Sequence, residues 1–201
     1  ITKPPYEVVG TFRNNELSPM IYPNVIFASA KQYNDSYVLV ELNDIGNQVA
    51  EILHNDIEYE NIIQVSVRGR KGQTMDAGYG KVSHIQKGLK TTKATKRIGC
   101  SMLKSLIEED RLVVTDYDTI REFASFIAKK NSYEADVNQT DDMVMTLVMF
   151  GWMTSQSYFK DLMNVDLRKN MYEKRIEQLE AEVVPFGIID DGKLADEGEV
   201  D

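Results

Sequence analysis

The chain is poor in the residues behind the commonest small-site chemistries. It has one cysteine, Cys100, so an intramolecular disulfide and a cysteine-based zinc cluster are both excluded. Its two histidines, His54 and His84, lie far apart and have no metal-ligand spacing. The longest apolar-rich stretch, Met143 to Met153, falls well short of the roughly 20 residues a membrane helix needs. Nothing at the start has the basic-then-apolar pattern of a signal peptide. The chain therefore reads as cytosolic and soluble. It begins with Ile1 rather than Met, which makes a piece of a longer polypeptide the expectation.

What is present is acid, unevenly spread. The 201 residues carry a formal net charge of −9, with 42% hydrophobic and 27% charged residues, enough apolar content for a packed core. Yet Arg68 to Arg97 holds nine basic residues, Arg68, Arg70, Lys71, Lys81, Lys87, Lys90, Lys93, Lys96 and Arg97, against one acid, Asp76. The same window is rich in glycine and poor in large apolar residues. Lysines and arginines on such a segment neutralise phosphates without reading sequence, so a nucleic-acid backbone is the expected partner. Only Tyr79 is there to stack on a base, which argues against a single-strand binding platform. Gly69 to Thr74 lacks the spacing of a phosphate-binding P-loop, so no ATPase is read here. Asp190 to Asp201 is an acidic tail with little to pack and reads as disordered.

Periodicity predicts alternating strands and helices. Tyr6 to Phe12 is a β-type run, and Pro23 opens a helix to about Tyr33. Tyr37 to Leu42 is the best strand, and its continuous apolar character suits burial on both faces. Asp44 reads as the cap of a helix through Leu53, and Ile62 to Val67 as another strand. A helix is expected over Ile98 to Glu109, a strand at Leu112 to Thr115, and a helix capped by Asp116 with Ile120, Phe123, Ala124 and Ile127 on its apolar face. Asn131 to Gln139 reads as a loop or weak hairpin. Thr140 is expected to cap the most periodic helix, with Met143, Val144, Leu147, Val148 and Gly151 on one stripe. A charged helix from Asp166 to about Glu182 closes at Pro185. This alternation predicts a layered α/β domain.

Two acidic positions interrupt that pattern. Glu41 is a charge in an otherwise apolar strand, unfavourable unless paired, metal-bound or at the strand's open end. Asp141 and Asp142 open the most hydrophobic helix, where the dipole alone accounts for acids at roughly 0.3–1 kcal/mol each. Beside a basic phosphate-binding segment, a strand Glu and a helix-start Asp suit a hard divalent cation, and two such cations about 4 Å apart can drive phosphodiester cleavage.

Several runs of this sequence resemble one family. Val38-Leu39-Val40-Glu41-Leu42-Asn43, Thr92 to Cys100, Leu103 to Glu108 and Thr140 to Trp152 are similar, in order and spacing, to the C-terminal nuclease domain of the large terminase subunit of T-even-like tailed bacteriophages. The likeness runs from about Tyr6 to about Phe186. It implies an RNase H-like mixed sheet flanked by helices, and cutting of concatemeric double-stranded DNA during genome packaging. It also implies a two-metal site using Mg²⁺ or Mn²⁺, with Glu41 and Asp142 as catalytic metal ligands and Asp141 beside them. The implied organisation is an N-terminally incomplete nuclease domain over 1–163, a charged helix over 164–185 and an acidic tail over 186–201. The implied partners are double-stranded DNA, the portal protein, the small terminase subunit and the N-terminal ATPase domain of the same polypeptide, at the procapsid in the host cytoplasm and with no membrane. The family's first acid has no counterpart here. Its first strand, central in the sheet, is missing as well, so Tyr6–Phe12 and Tyr37–Leu42 are expected to lack a bridging neighbour and the chain alone to be inactive. Two alternatives stand: a non-catalytic module that grips DNA or docks on the portal, and another RNase H-like nuclease such as a resolvase.

Overall fold

The computed structural model describes residues 4–67, 72–76, 85–129, 132–162, 164, 172–173 and 175–176. The chain divides into two compact units, Ile1–Asn164 and Val165–Asp201. In the second, the described residues 172, 173, 175 and 176 are helical; the rest of the expected charged helix and the acidic tail lie outside the described residues. Among the described residues no helix is long and apolar enough to cross a membrane.

The first unit is built from β1 (Tyr6–Glu7), α1 (Tyr22–Gln32), α2 (Gly46–Glu51, continued by a wider π-turn over Ile52–Asp56), β2 (Gln64–Val67), β3 (Gln73–Asp76), β4 (Ile85–Gln86), α3 (Lys93–Glu108), β5 (Leu112–Val113), α4 (Tyr117–Ser125), β6 (Phe126–Lys129), β7 (Ser132–Ala135) and α5 (Asp142–Thr154). Residues 38–42 are extended, and alternation along them separates two packing faces. Val40 and Leu42 join Val49, Ala50, Leu53 and Ile62 under α1 and α2. Leu39 faces the other way, toward the cluster of Trp152, Leu89, Val65 and Ile63. A third cluster, with Tyr6, Leu103, Leu106, Val144, Leu147 and Val148, joins β1 to α3 and α5.

Sheet pairing explains why the best predicted strand makes only two isolated bridges. Val38 pairs in parallel with Ile62, and Glu41 with Leu89. The bonds Val38 N–H to Asn61 O, Ile63 N–H to Val38 O, Leu89 N–H to Val40 O and Leu42 N–H to Leu89 O all use residues 38, 40 and 42, so they leave from one edge. The other edge carries the N–H groups of Leu39 and Glu41, and no described residue accepts from either. β1 pairs in parallel with β5, the one strand partner it has among the described residues. The sheet is thus in separate pieces, and β1 and residues 38–42 are backed by the same stretch of chain: Tyr6 packs edge-on against Phe150 and Phe159, and Phe159 also joins the Trp152 cluster.

Gly88 makes the second pairing possible. β4 runs antiparallel to β2, and the chain must then turn to lie parallel to Val40–Leu42. Gly88 does this at φ +141°, where an added Cβ would also collide with the Val40 carbonyl.

Several expectations are corrected. The helix foreseen from Ile98 starts at Lys93, because Thr92 and Thr95 cap each other's backbone N–H groups. Asp44 is no cap; it sits at φ +47° and α2 begins two residues later. Asp116 does cap α4, but the buried residues of that helix are Thr119 and Glu122, while Ile120 is exposed. Ile127 is not helical; it lies in the β6–β7 hairpin, where Phe126 stacks on Tyr133. The expected strands at Tyr6–Phe12 and Leu112–Thr115 are each two residues long.

Candidate active site

The two helices that frame the site lie unusually close. An added Cβ at Gly151 would stand 2.6 Å from the Gly99 carbonyl oxygen, and one at Gly99 would strike the Val148 carbonyl. With Gly99 against Val148 and Leu103 against Gly151, α3 and α5 ascend together, so both begin at the same end of the unit.

Residues 89–91 lead into α3 from the C-terminal side of the bridge to Glu41. Asn43 Nδ2 donates to the Thr91 carbonyl at 3.2 Å, which fixes this end of residues 38–42 to the start of α3. Alternation places Glu41 on the same face as Leu39, the face that α5 covers. Glu41 is half-buried and has no ion pair or side-chain hydrogen bond among the described residues. Two buried oxygens beside it, Asn43 Oδ1 and Thr91 Oγ1, also lack partners there.

The start of α5 is held differently from the expectation. Thr140 is not its cap, and Asp141, at the capping position, makes no side-chain cap bond. The work falls to Glu122 of α4, 3% exposed. Its Oε2 accepts from the N–H groups of Met143 at 2.7 Å and Val144 at 3.3 Å, and its Oε1 accepts from Thr140 Oγ1 at 2.9 Å and Arg13 at 3.1 Å. A buried charge is tolerated when its lone pairs are filled this completely and it sits at a helix N-terminus. Arg13 forks, and its other nitrogen lies 3.1 Å from Asp142 Oδ2. Asp141 Oδ2 lies 3.7 Å from Lys96 Nζ, and that ammonium sits 5.7 Å above the Phe126 ring.

Asp141 and Asp142 thus stand at the start of α5, and Glu41 is tied through Leu89 and Asn43 to the stretch that opens α3, at the end where α5 also begins. Thr91, Lys96 and Met145 line a narrow cleft there, between the start of α3 and α5. Every donor here is a carboxylate, amide or hydroxyl oxygen, which fits Mg²⁺ or Mn²⁺ and not a thiolate or imidazole metal. The number is short, however: among the described residues no three His, Cys, Asp or Glu side chains are grouped to hold an ion. Burial pushes the Cys100 thiol up, and nearby Lys96 only partly opposes this, so nothing here activates it toward the thiolate.

Of the expected DNA-contacting residues, Lys90, Lys93 and Arg97 are exposed and Lys87 is half-buried. Lys96 is largely withdrawn, with 18% of its side chain exposed. Arg68, Arg70, Lys71 and Lys81 lie outside the described residues. Gln73 pins the backbone of Lys90, donating to its carbonyl at 2.6 Å and accepting from its N–H at 2.9 Å. Beside it a groove of about 460 Å³ runs between β2–β4 and α3, floored by Val67, Ile98 and Trp152 and rimmed by Gln86, Lys90 and Thr92.

Sequence reasoning missed Glu122 and Arg13. Neither carried a local signal: an acid on a helix, as Glu122 is, ordinarily faces water, and Arg13 lies in an irregular segment. The model of the terminase RNase H-like domain matches residues 1–162, and this chain belongs to that family, as a nuclease-type module of a terminase with an RNase H-like mixed α/β fold.

Proposed function

We propose that this domain is the metal-dependent endonuclease of a large terminase subunit and cuts concatemeric double-stranded DNA during genome packaging. The observation that supports this reading is Glu41: a half-buried carboxylate with no ion pair or side-chain hydrogen bond among the described residues, with two unpartnered buried oxygens, Asn43 Oδ1 and Thr91 Oγ1, in the stretches that join it to the start of α3. Glu41 and Asp142 would hold Mg²⁺ or Mn²⁺, with Asp141 beside them, and the site needs a further acid to hold two ions. When bound, such ions supply Lewis acidity toward the phosphodiester and an activated water. The chain's own residues do the rest. Lys90, Lys93 and Arg97 grip the DNA backbone along the groove under α3, Lys96 holds Asp141 in place, and Glu122 fixes the start of α5. The portal protein, the small terminase subunit and the ATPase domain are the partners this role requires, acting at the procapsid portal in the host cytoplasm.

A second reading has two observations in its favour. Asp142 is tied to Arg13, and no three-acid group exists among the described residues, as expected of a module that grips DNA without cutting it. The deciding experiment is cleavage of supercoiled plasmid DNA with Mg²⁺ or Mn²⁺, using both this chain and a longer protein whose added strand completes the sheet. The nuclease reading expects no cutting by the chain alone and cutting by the completed protein. Glu41→Gln or Asp142→Asn abolishes that cutting, with duplex binding kept. The gripping module is favoured instead if the completed protein does not cut, while its duplex binding shows a salt slope that falls by about 0.9 for each cation removed in Lys90→Gln or Arg97→Gln.

A further inference from the structure

Arg13 touches both the buried anchor of α5 and the acid expected to bind a cation. One guanidinium nitrogen is 3.1 Å from Glu122 Oε1 and the other 3.1 Å from Asp142 Oδ2. The two carboxylates are unlike. Glu122 is 4% exposed in its side chain and already accepts from Thr140, Met143 and Val144; Asp142 is 69% exposed. The Glu122 arm is therefore the shielded one and the Asp142 arm the labile one. A cation approaching Asp142 Oδ2 meets the positive charge already there.

We propose that Arg13 is a positioning residue that competes with the divalent cation for Asp142, and that Glu122 sets the strength of this competition by holding the guanidinium back. The proposal rests on the reading of Asp142 as a cation ligand. In the cation-free protein Arg13 neutralises Asp142 and keeps its carboxylate oriented. As the cation binds, the Asp142 arm lets go while the Glu122 arm stays, so Arg13 is displaced without becoming unpaired. Arg13 lies in the irregular segment between β1 and α1, which carries also Thr11, bonded to Asp116 at 3.2 Å, and Phe12, stacked on Tyr22. Its position is thereby tied to both α4 and α1.

The two partners make opposite predictions, which a merely structural role does not. Arg13→Gln removes the competitor and is expected to tighten Mn²⁺ binding roughly three- to tenfold. Glu122→Gln leaves Asp142 as the only full counter-charge of Arg13 among the described residues and is expected to weaken Mn²⁺ binding by a similar factor. Arg13→Lys, which keeps the charge and loses the fork, falls between. The measurement is direct Mn²⁺ binding to the full chain by calorimetry and electron paramagnetic resonance, with thermal melts of each variant as the check on folding. On an Asp142→Asn background both effects vanish. Equal or weaker binding by folded Arg13→Gln overturns the proposal and leaves the metal reading standing, as does weakening by both variants alike. Mn²⁺ binding that Asp142→Asn leaves unchanged overturns the metal reading and this proposal with it.

Discussion

At the scale of single residues, Gly99 and Gly151 decide how close α3 and α5 come, and so where Asp141 meets Lys96. At Gly151 a methyl group would stand 2.6 Å from the Gly99 carbonyl oxygen and 3.0 Å from Leu103 N, and both obstacles are backbone that cannot rotate away. Gly151→Ala and Gly99→Ala are each expected to destabilise the protein by about 3 kcal/mol, read by urea denaturation, through overpacking. The double variant should lose less than the sum, because the two residues meet across the same helix crossing. Periodicity put Gly151 on the buried stripe of α5, since a glycine between Val148 and Trp152 has a place in the pattern. It said nothing of Gly99, whose partner is 52 positions away in the chain and visible only after folding. Glu41 was legible for the same reason as Gly151: a lone charge breaks a local pattern. Glu122 was not, because an acid on a helix ordinarily faces water, and only tertiary contact turned this one into the cap of another helix.

At the scale of elements, the helix caps carry testable chemistry. Asp116 Oδ2 accepts from the Thr119 hydroxyl at 2.7 Å and from the Thr119 N–H at 2.8 Å, and Oδ1 accepts from Thr11. The Thr119 hydroxyl bond first, then the backbone bond, hold its carboxyl below the usual 3.8. A lowered carboxyl favours the folded state above the ordinary value and loses that contribution as the pH falls through the lowered one. Part of the protein's acid lability below about pH 4 is thus expected to come from the start of α4. Asp116→Asn, which keeps the cap shape without the charge, is expected to melt at a lower temperature at about pH 7 and to lose less stability between about pH 4 and about pH 2, both followed by circular dichroism. Asp116 was readable as a cap because Asp before an apolar period is a strong local signal. The α3 cap was not, since Thr92 and Thr95 sit in a lysine-rich stretch and lack the usual Glu or Gln at the third position.

At the scale of the whole unit, the mixed α/β class followed from alternating patterns, but the division of the sheet follows from hydrogen-bond accounting that composition does not carry. Residues 38–42 have the apolar sequence of a central strand yet place all their described backbone bonds on one edge. A strand packed on both faces with one edge unpaired leaves amide donors without partners, an arrangement that favours capture of a further strand. At the far end of that edge the Gly46 backbone abuts the Glu41 carbonyl, so the open stretch centres on Leu39. Amide hydrogen exchange tests this within one strand. The N–H groups of Leu39 and Glu41 are expected to exchange at least about tenfold faster than those of Val38 and Leu42, which donate to Asn61 and Leu89 at 2.9 Å. Neighbouring amides share the same local openings, so a difference between Leu39 and Glu41 and the bonded Val38 and Leu42 comes from pairing; the Val40 N–H, which has no acceptor among the described residues either, is expected to exchange with Leu39 and Glu41. A protein extended by a strand that fills this edge is expected to slow Leu39 and Glu41 to the rate of Val38 and Leu42 and to leave Val40 fast. Because Glu41 lies on that edge, the same strand would place its own side chains beside the carboxylate. The exchange pattern of Glu41 therefore reports directly on whether the site is assembled before any metal or DNA is added.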